Sequence, residues 1–321
     1  MRLDDLLDDV RGYAGLRRKE AVSAWALRFV REGAEDLHVG DDAGAVPVPG
    51  GYLLLSAEGI LPELLADPSF AGRCAVSAAV NDIYAMGGRP LGLATVVFAG
   101  GFSDEARERF LEGLDDGLRR YDIPMLGGHT SPEGERPVVA VAVIGLAKAL
   151  LSGSGARAGD ELLLACDLEG RRHGSFFAWD SVTSEPAEVT RRKLEVMVGL
   201  AERGTCTAAR DVSNPGMLGT LAMMLEASRA GARVRLDDVP VPGGVELDWW
   251  LEAYPSYGFI LAAEPGRSED IRETFGSEGV TCEVIGEFTA GSRLEVACGG
   301  ESALFLDWRE TPVTGLFGGS G

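Results

Sequence analysis

The sequence has little that would anchor it in a membrane, on DNA or in an oxidising compartment. No apolar run among its 321 residues approaches the roughly 18 residues of a membrane-spanning helix. The opening Met1-Arg2-Leu3-Asp4-Asp5-Leu6-Leu7 is acidic and lacks the apolar centre of an export signal, so export is not expected. Cysteine is sparse: Cys74, Cys166, Cys206, Cys282 and Cys298 are widely spaced and never form a C-x-x-C pair. That spacing argues against a disulfide framework or a zinc site. Each cysteine is expected to act as a small buried hydrophobe in a reducing compartment, which makes the cytoplasm the expected location. Positive charge is short as well, with 30 Lys and Arg against 50 Asp and Glu and a net charge of −20. Nucleic-acid binding needs clustered cations, so no nucleic-acid partner is expected. Also missing are G-x-x-x-x-G-K-[ST], G-x-S-x-G and H-E-x-x-H, which excludes an ordinary P-loop, a nucleophile elbow and a zinc-protease helix.

What is present reads as a soluble α/β protein of two domains. The hydrophobic fraction of 45% and charged fraction of 25% are ordinary for a globular chain, and the length suits two units of about 100–200 residues. Residues 1–38 read as helical, with Leu3, Leu6, Leu7 and Val10, then Ala21, Trp25, Leu27 and Phe29. A turn-rich stretch over Gly40–Gly51 precedes a strand at Tyr52–Ala57. Phe70–Met86 is a helix of small residues suited to close packing, stopped by Gly87-Gly88 and Pro90. A β-rich Leu91–Ala99 follows, then an amphipathic helix from Ser103 with Phe110, Leu114, Leu118 and Tyr121 on one face. The run Val138–Leu146 is apolar throughout, as in a strand buried on both sides or at an interface. After Ser152-Gly153-Ser154-Gly155 the pattern restarts. It continues with a strand at Glu161–Cys166, a helix at Pro186–Arg203 and another around Leu218–Leu225. Short strands at Arg233–Leu236, Gly258–Ala263, Cys282–Phe288 and Leu294–Ala297 surround a helix near Ser268–Phe275. The boundary is expected near residue 150, giving domains 1–150 and 151–317 with a flexible tail at 318–321.

Three acidic segments combine carboxylates with special backbone geometry. Gly40-Asp41-Asp42-Ala43-Gly44 sets two acids in a glycine-flanked turn, which also suits a plain Asx-turn. Asp82, in Asn81-Asp82-Ile83-Tyr84, falls in the last turns of a helix, where an anion opposes the macrodipole unless a cation or donor offsets it. A Mg²⁺ ion would do so, since it takes oxygen ligands and bridges to phosphates; a surface hydrogen bond is the alternative. Asp211-Val212-Ser213-Asn214-Pro215-Gly216 leads into a helix whose N-terminus suits phosphate, or is simply capped by Ser213 or Asn214. A fourth segment, Gly127-Gly128-His129-Thr130, offers two glycines for close backbone approach to a ligand, or an ordinary turn.

In order, Gly40-Asp41-Asp42-Ala43, Asn81–Pro90, Gly127–Thr130, Gly159-Asp160 and Asp211–Gly216 resemble the AIR-synthase-related (PurM-like) superfamily. The superfamily also holds thiamine-monophosphate kinase, selenophosphate synthetase and the hydrogenase-maturation carbamoyl dehydratase. The stretches 171–180, 210–221 and 250–259 are most similar to the branch called methanogenesis marker protein 2 and its bacterial relatives. The resemblance implies a two-domain α/β fold whose N-terminal strands pair across a homodimer into a barrel. It also implies ATP in a cleft, its phosphates held through Mg²⁺ by acids. Matched by position, the metal-binding set is Asp41, Asp42, Glu58, Asp82 and Asp211. The nucleotide contacts are Gly40, Asp82, Gly127, Gly128, Ser213 and Asn214.

The departures from the family pattern bear on the activity. The kinases' G-G-D-T acid is His129 here, and their second acid in D-x-S-D is Asn214. No cysteine precedes Cys74, where selenophosphate synthetases need a reactive one, and the chain ends Leu316-Phe317-Gly318-Gly319-Ser320-Gly321 without the dehydratase's cysteine. The expected activity is therefore phosphoryl transfer to, or ATP-driven activation of, a small-molecule substrate, with His129, Asp211 and His173 as catalytic candidates. Thiamine-monophosphate kinase and a non-catalytic nucleotide-binding regulator remain the alternatives. Arg171, His173 and Asp180, in a segment bounded by Gly170 and Gly174, are the substrate-binding candidates, because guanidinium suits an anion and His titrates near neutrality. A surface loop with Phe176, Phe177 and Trp179 tucked into the core is the plainer reading.

Overall fold

The computed structural model describes residues 2–26 and 38–316. The chain opens with short helices α1 (Leu3–Gly12), α2 (Ala14–Arg17) and α3 (Val22–Ala26). Then come β1 (Gly44–Val48), β2 (Gly51–Gly59), α4 (Pro68–Ala85), β3 (Arg89–Phe98), α5 (Asp104–Tyr121), β4 (Met125–Ser131) and β5 (Val138–Ala147). These are followed by β6 (Glu161–Cys166), β7 (Arg171–Arg172), β8 (Ala178–Asp180), α6 (Ala187–Arg203), β9 (Ala208–Asp211) and α7 (Gly216–Ser228). The remainder is β10 (Gly231–Arg235), α8 (Leu247–Glu252), β11 (Tyr254–Pro255), β12 (Gly258–Ala263), α9 (Ser268–Ser277), β13 (Thr281–Thr289), β14 (Arg293–Cys298) and β15 (Glu301–Asp307). The expected helix positions Leu27 and Phe29, and the tail 318–321, lie outside the described residues.

One compact unit comprises Asp42–Leu150 and Ser184–Glu202. Its mixed sheet runs β1-β2-β5-β3-β4, antiparallel except for the β3–β4 pair. Side chains alternate across a strand. Thus Leu54, Ser56, Val139, Val141 and Val143 are buried, whereas Leu55, Val96, Val138 and Leu146 are exposed. The apolar run of β5 is buried on one face and open on the other, so its composition reflects a face left uncovered. β1 forms inside the stretch that reads as turns, because Tyr52–Leu55 of β2 folds back along it from Gly50 and Gly51. Helices α4 and α5 pack closely, as the small residues of α4 suggest. A Cβ on Gly113 would lie 1.9 Å from the Ser69 carbonyl oxygen, and one on Gly72 2.4 Å from that of Phe110. Asp67 caps α4 with Pro68 in its first turn, and Ser103 caps α5, accepting from the Ala106 N–H at 3.1 Å.

The other unit comprises Met1–Asp41, Leu151–Thr183 and Arg203–Gly321. A seven-stranded mixed sheet, β15-β14-β10-β13-β6-β12-β9, carries a buried helix α7 that shares one apolar cluster with Leu3, Leu6, Leu7 and Val10 of α1. The units therefore cross the boundary expected near residue 150. Residues 1–41 join the second unit through the apolar stripe of α1. Residues 184–202, read as part of the second domain, join the first through polar contacts. In these, Arg120 donates to the Glu185 carbonyl, Arg191 to the Arg120 carbonyl, and Arg89 forks onto Glu195 at 2.7–3.0 Å. No helix among the described residues is long and apolar enough to cross a membrane.

Candidate functional site

In the first unit, the alternation of β2 turns Ser56 and Glu58 to the same side of the strand. Asp82, in the last turn of α4, is 5% exposed and accepts a hydrogen bond from the Ser56 hydroxyl. A buried carboxylate at the negative end of a helix dipole is costly, and the Ser56 hydroxyl is one of the groups that offset that cost. Sequence reasoning missed Ser56; the signal was its i, i+2 spacing from Glu58. Two residues on, burial and then the Glu195 carboxylate push the Tyr84 phenol up to about 12, so it stays a neutral donor. Asp42, half-buried, opens this unit.

His129 is not brought to that acid. It lies on edge strand β4, separated from β2 by β5 and β3, and pairs with Val96, whose side chain is exposed on the uncovered face. Asp82 meets the opposite, helix-covered face through Ser56. His129 instead has its ring 5.9 Å from that of Phe98. Gly127 and Gly128 also sit within the strand rather than in a turn. A Cβ on Gly128 would stand 2.0 Å from the Thr95 carbonyl oxygen, so this glycine serves close pairing with β3.

In the second unit, Asp41 is committed to its own neighbours. Its carboxylate accepts from the Ser152 hydroxyl at 2.7 Å and from the Gly153 N–H at 2.9 Å, and His38 Nδ1 lies 3.8 Å away. This holds Gly40-Asp41 beside β9, where Arg210 donates to the Gly40 carbonyl at 2.9 Å. Asp211, the next residue, is 8% exposed at the end of β9. The block that follows does not cap α7 as expected. The N-cap is Pro215, with no side-chain cap bond, because Gly216, at φ +71°, starts the helix from a tight turn closed by its N–H onto the Ser213 carbonyl. Thr220 Oγ1 accepts from the Ser213 N–H at 3.3 Å, and Asn214 Oδ1 accepts from Arg18 at 3.3 Å. The Arg18 contact carries no sequence signal, since the two residues are 196 apart.

The segment 171–180 is a hairpin. Arg171 pairs in register with Asp180 and Arg172 with Trp179, and β11 adds a third strand beside β8. Trp179 is the anchor: it is buried, donates from Nε1 to the Asp167 carbonyl at 3.0 Å and meets Trp250 edge-on. Phe176 and Phe177 are only half-buried. Asp180 is 3% exposed and accepts from the Thr183 N–H in the turn that follows β8. Arg171 is exposed, the Arg172 guanidinium lies 4.2 Å over the Trp249 ring, and His173 stacks on Phe176 at 6.2 Å. Among the described residues no group of three or more His, Cys, Asp or Glu side chains could hold a metal ion by itself. Asp82 and Glu58 carry oxygens of the kind a hard cation takes beside others from a phosphate.

Comparison with known proteins agrees with this architecture. The chain is 36% identical to the protein sll0787 of Synechocystis over 99% of its length and all of that protein's. It is 34% identical to MJ0640 of Methanocaldococcus jannaschii over 98% of this chain and all of that protein. Selenide, water dikinase of Myxococcus xanthus is 28% identical over 78% of this chain and 83% of its own length. Among solved structures, "AaThiL complexed with AMPPCP and TMP" matches with a TM-score of 0.66 and 17% identity, covering 88% of this chain and 95% of that one. T. maritima PurL complexed with ATP matches at 0.70 and 17%, covering 85% of this chain and 46% of PurL. Residues 40–147 match the AIR synthase related protein N-terminal domain, and residues 150–299 its C-terminal domain. With both parts of the family's architecture present in order, and two relatives matched along their whole length, the chain belongs to the AIR-synthase-related (PurM-like) family.

Proposed function

We propose that the protein binds Mg²⁺-ATP and uses the γ-phosphate to phosphorylate or activate a small-molecule substrate. The observation that carries this reading is Asp82, a buried carboxylate at a helix C-terminus with the Ser56 hydroxyl bonded to it and Glu58 on the same side of β2. Asp211 is a second buried acid, at the end of β9. The structures that share this fold include proteins solved with ATP and with AMPPCP. Bound Mg²⁺ would neutralise phosphate charge and stabilise the transferred phosphoryl. The protein's own part is to position: Asp82 and Glu58 offer oxygens, Ser56 fixes the Asp82 carboxylate, and Ser213 and Asn214 line the loop that meets the nucleotide. The hairpin carrying Arg171 and His173 meets the substrate. We further propose a homodimer through the uncovered face of the five-stranded sheet.

Calorimetry tests the nucleotide reading. ATP is expected to bind in Mg²⁺ and to lose that binding in EDTA; equal affinity in both would remove the metal bridge from the proposal. ADP release with candidate substrates then separates an enzyme from a non-catalytic nucleotide binder.

A further inference from the structure

We propose that Arg172 recognises an acid group of the substrate, which makes the substrate a small molecule bearing a carboxylate or a phosphate. The inference rests on the reading above that the hairpin meets the substrate. Alternation along β7 turns Arg171 and Arg172 to opposite sides of the strand. The register sets Arg172 directly across from Trp179, so these two side chains share a side. Successive tryptophans of α8 meet that pair. Trp250 meets Trp179 edge-on at 5.6 Å, and the Arg172 guanidinium lies over the Trp249 ring at 4.2 Å. Trp249 is itself stacked on Phe177 at 5.9 Å, which Tyr13 meets edge-on at 5.2 Å. Arg172 is therefore held at both ends, its backbone by the pairing with Trp179 and its head by Trp249. Such a seat reduces the side-chain entropy lost when a ligand binds.

The ring contact leaves the hydrogen-bonding capacity of the guanidinium unused. Cation–π attraction acts on the charge and takes up none of the five N–H donors. Arg172 makes no hydrogen bond or ion pair to any described residue. By contrast, Arg89, Arg107, Arg233 and Arg272 each find a carboxylate, as expected in a chain with 50 Asp and Glu. Arg172 is also exposed, on the edge strand of the order β11-β8-β7, so a ligand can reach it from outside the sheet. A planar fork of donors in a fixed position suits the paired oxygens of a carboxylate or phosphate. The net charge of −20 repels a long polyanion, which leaves a small anion as the partner.

The test titrates full-length protein with inorganic phosphate and with acetate at constant ionic strength, read by calorimetry and tryptophan emission. Wild type is expected to bind at least one of them saturably, with a change in emission because Trp249 carries the guanidinium. The tighter of the two tells whether the acid group is a phosphate or a carboxylate. Arg172→Gln is expected to lower that affinity at least about tenfold, as for loss of a charge-assisted contact, while the thermal midpoint holds. Arg172→Lys is expected to recover part of the loss. Arg267→Gln, which removes an exposed arginine elsewhere, is expected to respond as wild type. A wild type that binds neither anion, an unchanged affinity in Arg172→Gln, or the same loss in Arg267→Gln would overturn the assignment. Mg²⁺-ATP titrated into the same proteins keeps the two readings apart. Its failure to bind wild type would sink the nucleotide reading, whereas anion binding lost in Arg172→Gln would still support the site at Arg172.

Discussion

Asp82 combines two demands in one residue. Its position at the end of α4 is readable from Asn81–Gly88, since Gly87 and Gly88 mark the helix stop, but its partner Ser56 lies on another strand. Replacing it tests both. Asp82→Asn keeps the shape and the acceptor for Ser56 while removing the charge. We expect Mg²⁺-ATP affinity to fall at least about tenfold, as for loss of a charge-assisted ligand. The fold should persist, with stability unchanged or raised by about 0.3–1 kcal/mol as the dipole conflict is relieved. Calorimetry and thermal melts read these separately, and wild-type affinity in the mutant would make Asp82 structural. The cysteines divide along the same line. Burial pushes the Cys206 thiol up to about 12 and raises Cys166 and Cys282, matching the expected small hydrophobes, whereas Cys74 and Cys298 are only partly buried. Composition reveals residue type; it does not reveal which strand end faces solvent.

Among the elements, the helices were the most legible because caps and stops are local. Ser103 begins α5 where its hydroxyl suggested, and Gly87 ends α4 at φ +76°. Three elements differ from their reading because of packing partners: β1 inside a turn-rich stretch, the glycine pair of β4, and the uncapped start of α7. For β4 and α7 a neighbour distant in sequence, β3 or α8, fixed the local backbone, and for β1 it was the adjacent β2, folded back across the Gly50-Gly51 turn. For α7 the neighbour is the carbonyl of Leu251, 2.2 Å from where a Gly216 Cβ would sit. The α4–α5 crossing offers a direct test. Gly113→Ala places a methyl group 1.9 Å from the Ser69 carbonyl oxygen, so the helices must separate. We expect a loss of about 1–3 kcal/mol, the usual cost of overpacking, seen as a lower denaturant midpoint at unchanged slope. A midpoint equal to wild type would mean the crossing yields freely.

At the scale of the whole molecule, the uncovered face of the five-stranded sheet is the outstanding feature. Val46, Leu55, Val96, Phe98, Val138 and Leu146 are 38–57% exposed there, a contiguous apolar patch of the kind that marks an interface. Light scattering at micromolar protein is expected to give twice the 33.9 kDa chain mass, and Leu55→Asp to halve it. A wild-type monomer would refute the dimer. The chain by itself determined the α/β class, the order of the family's motifs and most helix boundaries, because periodicity, caps and glycine stops act within a few residues. Only the tertiary structure decided that α1 completes the core of the second unit. Strand register and face likewise turned Ser56 toward Asp82 and His129 away from it. The same packing showed that Asp41 accepts from Ser152 and Gly153 and that Arg18 meets Asn214. Those choices depend on pairing and close approach between segments far apart in sequence, where no local signal reaches.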